Sequence, residues 1–222
     1  IVQRVMGKNV SVNLGKADGI LSENEQVKGE EFEPTERIKV YILEVKDTPK
    51  GPRILLSRTH PGLVKRLFES EVAEVKDGTV EIKSIAREAG SRTKIAVWSN
   101  DPDVDPVGAC VGMNGARVNS IVEELRGEKI DIINWDENPA ILIENALSPA
   151  KVIAVMADPD EKTALVVVPD YQLSLAIGKE GQNARLAARL TGFKIDIKSE
   201  TQARESGELY DYDDEDEYYD EE

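Results

Sequence analysis

Gly178-Lys179-Glu180-Gly181 joins two apolar stretches of helical character, 171–177 and 183–190. Glycine at both ends of so tight a turn leaves two places without a side chain. A foreign backbone approaches closely there, and the helix N-terminus behind the turn turns free N–H groups toward a phosphate. One such four-residue pattern is weak on its own. A second copy strengthens it: Gly112-Met113-Asn114-Gly115 lies between the apolar stretches 107–111 and 116–122. Lys179 is the best single electrostatic contact, with Glu180 expected to face solvent. Arg185, one turn further on, either reaches a neighbouring phosphate or makes a surface salt bridge. Ile177, Val111, Val118 and Ala184 either line a groove beside the loops or are simply core.

Other chemistry is excluded by residue type. His60 and Cys110 are the only histidine and cysteine, one at a domain junction and one in the core of an α+β unit, so a catalytic pair is not expected. Asp101-Pro102-Asp103-Val104-Asp105 opens like a calcium loop, but Pro106 falls where glycine is required and Gly112 where the closing glutamate belongs. Neither glycine loop carries a Walker lysine, so nucleotide hydrolysis has no support. The chain is expected to be no enzyme and to need no cofactor or metal.

The elements that position the loops are duplicated. Each loop is followed by a helix, a glycine (Gly127, Gly192) and the same tetrapeptide, Lys129-Ile130-Asp131-Ile132 and Lys194-Ile195-Asp196-Ile197. The loops are 66 residues apart and the tetrapeptides 65, which marks a duplicated domain. Before each loop the pattern predicts a helix and two strands: 61–68, 79–86 and 94–99 in the first copy, 140–147, 152–157 and 163–168 in the second. Upstream, short strands at 2–5, 10–14, 38–45 and 54–57 with glycine-rich turns suit a small closed β-barrel, of the OB type or another. The fold class read from this is multidomain: a barrel at 1–60, α+β units at 61–137 and 138–200, and an acidic disordered tail at 201–222. The chain opens on Ile1 inside a strand pattern and reads as a fragment lacking an upstream part.

Net charge is −15, an unpromising value for a nucleic-acid binder until it is located. Residues 205–222 hold eleven acids and no base, which leaves −4 on the rest. Between Ser174 and Lys198, five bases face two acids, and such local patches govern phosphate affinity. The tail either solubilises the chain or imitates RNA with its carboxylates and tyrosines. No apolar run approaches the ~20 residues of a membrane helix, no signal-peptide pattern opens the chain, and a lone cysteine suits a reducing cytoplasm. A monomer is expected.

A G-x-x-G loop between two helices beside a three-stranded sheet is the KH arrangement for single-stranded nucleic acid. Helix and strands preceding the loop resemble its type II order. A barrel followed by two such units resembles the S1–KH–KH body of the NusA family of bacterial transcription factors. The wording agrees in Leu56-Ser57-Arg58-Thr59-His60-Pro61-Gly62-Leu63, in Glu81-Ile82-Lys83-Ser84-Ile85-Ala86-Arg87-Glu88-Ala89-Gly90-Ser91-Arg92-Thr93-Lys94, and in Gly178-Lys179-Glu180-Gly181-Gln182-Asn183. The resemblance implies binding of nascent RNA beside RNA polymerase and other elongation and antitermination factors, with effects on pausing, termination and antitermination. It implies RNA contacts at Gly112, Met113, Asn114, Gly115, Gly178, Lys179, Glu180 and Gly181, and that the missing upstream part binds polymerase. Asn114 departs from the basic residue common in the family, which leaves Arg117 and Lys94 as nearby candidates. With Phe32 and Tyr41 its only aromatics, the barrel is a poor base-stacking surface. The alternative reading is the RNA-feeding S1/KH module of a ribonuclease assembly, against which the second KH unit argues.

Overall fold

The computed structural model describes residues 1–209, in two compact units, Ile1–Trp135 and the part from Asp136 onward. The first unit opens with β1 (Val2–Met6), β2 (Asn9–Asn13), β3 (Asp18–Leu21), β4 (Tyr41–Thr48) and β5 (Gly51–Ser57). They form one sheet in the order β1-β2-β3-β5-β4, antiparallel except between β3 and β5. Val2, Val10, Val12, Leu21, Phe32 and Leu56 bury one another on one side of it. Among the described residues β1 and β4 are the edges of this sheet. Val2 exchanges backbone bonds with Glu36 and Thr35. The strand expected at 38–45 starts later, at Tyr41, because the backbone of Lys39 is engaged elsewhere: its N–H donates to Glu124 and its carbonyl accepts from Arg58.

Arg58 locks this sheet to the first α+β unit. Its guanidinium is buried and all five N–H donors are matched: two by the Glu30 carboxylate, one by the Lys39 carbonyl, and two by the side chain and carbonyl of Glu124. Arg126, at φ 57°, donates to the Glu31 carbonyl and the Glu36 carboxylate and lies 4.9 Å from the Phe32 ring centre. Arg87 bonds the buried Glu128 carboxylate, which also accepts from Gly90 N–H and Thr93 Oγ1. Charges taken out of water are stable only when saturated in this way. His60 serves the same junction. Its Nδ1 accepts from Gly62 N–H to cap the next helix, Pro61 fills the first helical position, and the ring stacks on Tyr41 with centroids 4.6 Å apart.

The first α+β unit comprises α1 (Pro61–Glu71), α2 (Ala73–Lys76), β6 (Val80–Glu88), β7 (Arg92–Ser99), α3 (Pro106–Val111), α4 (Ala116–Glu124) and β8 (Lys129–Asn134). Its central strand β7 runs antiparallel to β6 and parallel to β8. Leu63, Val64, Leu67 and Phe68, the predicted face of α1, bury against Ile95, Val97, Cys110, Ile121 and Leu125. Each such side chain contributes about 1.5–3 kcal/mol.

The second unit repeats the plan with α5 (Pro139–Ala146), β9 (Ala154–Asp158), β10 (Thr163–Val168), α6 (Leu173–Ile177), α7 (Gln182–Thr191) and β11 (Lys194–Ser199), β10 again being antiparallel to one neighbour and parallel to the other. A final helix, α8 (Glu200–Glu205), corrects the expectation of a disordered tail from 201. Ser199 accepts from Gln202 N–H while the Gln202 side chain accepts from Ser199 N–H, a capping box that starts the helix. Ala203, within this helix, is fully buried. The remaining tail reading, at 210–222, lies outside the described residues.

Candidate nucleic-acid interface

The two glycine loops have nearly the same backbone. Gly112 and Gly178 have φ/ψ of 78°/173° and 79°/170°, Asn114 and Glu180 of 54°/27° and 55°/25°, Gly115 and Gly181 of 75°/13° and 74°/13°. Three of four residues at positive φ make a conformation that few sequences adopt. In each loop the first glycine closes the preceding helix, and its carbonyl accepts from the N–H of the second: Gly115 to Gly112 at 3.2 Å, Gly181 to Gly178 at 3.1 Å. Neither α4 nor α7 is capped by a side chain, so the second glycine presents the helix N-terminus.

The two glycines of a loop are glycine for different reasons. A Cβ on Gly178 would lie 2.8 Å from both Cβ and N of Asn183, and one on Gly112 would lie 2.8 Å from Cγ of Arg117. The first glycine is thus demanded by the protein's own packing, a reason for glycine that the sequence does not display. At Gly181 only the Arg185 guanidinium comes within 4 Å, at 3.9 Å, so the outer side of the second glycine is open.

The residue two beyond the second glycine is a staple in both copies. Asn183, buried, donates to the carbonyls of Leu147 and Ala176. Arg117 donates to the carbonyl of Ala109 and to the Glu74 carboxylate, both at 2.8 Å. Arg117 is thereby engaged in tying α3 to α2. Lys94 is corrected more strongly: its side chain is buried on β7, 2.9 Å from Asp131, and burial lowers its pKa. It presents nothing to a phosphate.

What remains at the surface differs in charge. Lys179, Glu180 and Arg185 are exposed at the second loop, where Arg185 Nη1 donates to the Glu180 carbonyl at 3.0 Å and so holds its charge over the turn. The first loop shows Met113, 85% exposed, and Asn114, with Asn119 at the place of Arg185. Val111 is half-buried at one loop and Ile177 exposed at the other. Cys110, buried in the first unit's core, has its thiol pKa pushed up to about 11 by that burial, which removes it as a nucleophile.

This arrangement, twice a mixed three-stranded sheet carrying a helix–G-x-x-G–helix, defines a tandem KH protein. Residues 58–135 match the NusA-like first KH domain and residues 139–205 the NusA-like second KH domain. The chain is 63% identical over 207 residues to the transcription termination/antitermination protein NusA of Bacillus subtilis, covering 93% of this chain and 56% of that protein. It is 60% identical over 211 residues to that of Halalkalibacterium halodurans (95% and 55%) and 48% identical over 196 residues to that of Thermus thermophilus (88% and 51%). The chain belongs to the NusA family. It spans about half the length of these relatives.

Proposed function

We propose that this chain is the single-stranded-RNA-holding body of a transcription elongation factor. Nascent RNA lies across the two glycine loops while the factor sits with RNA polymerase, and the hold on the transcript modulates pausing, termination and antitermination. One observation carries the reading: the same left-handed loop geometry is built twice, each time with an uncapped helix N-terminus, and the second glycine of the second loop, Gly181, is open on its outer side. Backbone N–H groups and Lys179 take phosphates, and the apolar surface beside the loop takes bases. Residues 58–205 with a KH pair of the NusA type favour this over a ribonuclease-feeding module, and the names of the relatives supply the transcriptional setting.

The test leaves the glycines in place. Lys179→Asp with Glu180→Asp, and Met113→Asp with Asn114→Asp, put carboxylates where phosphates would lie, and aspartate tolerates the left-handed position. Binding of a twelve-nucleotide single strand, about four bases for each groove, is measured by fluorescence anisotropy. The variant of the second loop should lose about tenfold or more, the scale of a charge-assisted contact, and the combination should abolish binding. Parent-like affinity in a folded fourfold variant would reduce the loops to turns and overturn the proposal.

A further inference from the structure

We infer that Tyr171 and Leu175 form a shelf on which one base of the bound strand stacks, next to the nucleotides whose phosphates lie on the Gly178–Gly181 loop; this rests on the RNA reading above. Tyr171 is 77% exposed, the most exposed aromatic side chain among the described residues. It precedes α6, and Leu175, 45% exposed, stands one turn further along the same face. Another turn reaches Gly178 and Lys179, so the exposed stripe ends at the loop. A lone exposed apolar residue needs no explanation, but a stripe continuous with a charged loop does.

The ring stands on a fixed backbone. The Asp170 carboxylate accepts from Thr201 N–H at 3.0 Å, and Gln172 Oε1 accepts from Lys151 N–H at 2.9 Å, which pins the residues on both sides of Tyr171. A tyrosine with two rotatable bonds on an anchored turn loses little freedom when a base settles on it. The other copy gives the contrast. At the 66-residue offset, Tyr171 corresponds to Asp105 and Leu175 to Ala109. The first KH unit therefore has an acid and a methyl group where the second has a ring and an isobutyl group. Stacking tolerates any base, because every base has a π-face, so the shelf adds affinity with little sequence preference.

The test uses the full chain and single-stranded RNA dodecamers, one with all its bases and a series each lacking a single base. Tyr171→Ala should weaken binding of the complete dodecamer by about 5- to 150-fold, the range for loss of one base–aromatic stack. Tyr171→Phe should keep parent affinity. At one abasic position the parent and Tyr171→Ala should bind alike, because the base that stacks is gone. The dependence on salt should be unchanged in Tyr171→Ala but reduced in the Lys179→Asp, Glu180→Asp variant. If Tyr171→Ala binds every dodecamer as the parent does while the loop variant loses RNA, the shelf is refuted, the loop reading stands, and the stripe faces a protein instead. If the folded fourfold loop variant also binds like the parent, the RNA reading has failed and the shelf with it.

Discussion

Glu180 is a residue whose type fits its conformation poorly. At φ 55° a glutamate costs about 1–2 kcal/mol that asparagine, present at the equivalent Asn114, largely avoids. Glu180→Asn should raise the unfolding free energy by about 1 kcal/mol in a urea titration and also tighten RNA binding by removing a carboxylate from the phosphate path. The paired glycines separate in the same assay. Gly181→Ala should cost about 1 kcal/mol for the left-handed backbone alone. Gly178→Ala should cost clearly more, because its Cβ would displace Asn183 from its bonds to Leu147 and Ala176. Equal losses at the two positions would refute this division of labour.

Among the elements, the join between the N-terminal sheet and the first KH unit is the most exacting. Five donors of one buried guanidinium meet five acceptors from three segments, so Arg58→Lys strands several of them without a partner. A loss of about 3–5 kcal/mol is expected, the scale for breaking a buried ion pair, read as faster amide exchange within residues 1–135. The duplication shows what this join is for. At the places of Arg126 and Glu128 the second unit has Thr191 and Phe193, and Phe193 is buried under Lys162 rather than charged. Order and type of almost every element were legible in the sequence, because turn glycines and period changes are local signals. Edges were not. The late start of β4 depends on Arg58 holding Lys39, and the burial of Lys94 on the central strand β7; both are tertiary facts that a basic residue's type conceals. Helix α8 was legible in Ser199-x-x-Gln202, but the acidic run behind it masked the signal. The loops themselves were found from spacing. That their first glycines answer to Asn183 and Arg117 required coordinates.

For the molecule as a whole, an acidic total and the basic surface at Lys179 and Arg185 are compatible because salt screens charges beyond the Debye length. The Debye length is about 10 Å at 0.1 M salt, so acids beyond that range contribute little to a phosphate at the loop. The affinity of the parent should therefore fall linearly with the logarithm of salt concentration, and Lys179→Ala and Arg185→Ala should each lower the slope by about 0.7. Met113→Ala, at an uncharged position, should leave it unchanged; a flat response in the parent would argue against phosphate contacts altogether. The near-identity of the two loop backbones has a further consequence. Since Met113-Asn114 and Lys179-Glu180 ride on superimposable frames, the dipeptides are interchangeable parts, and a transplant in either direction moves charge without moving geometry. The chain thus carries two side-chain versions of one loop backbone, so an exchange reads what the dipeptide itself contributes.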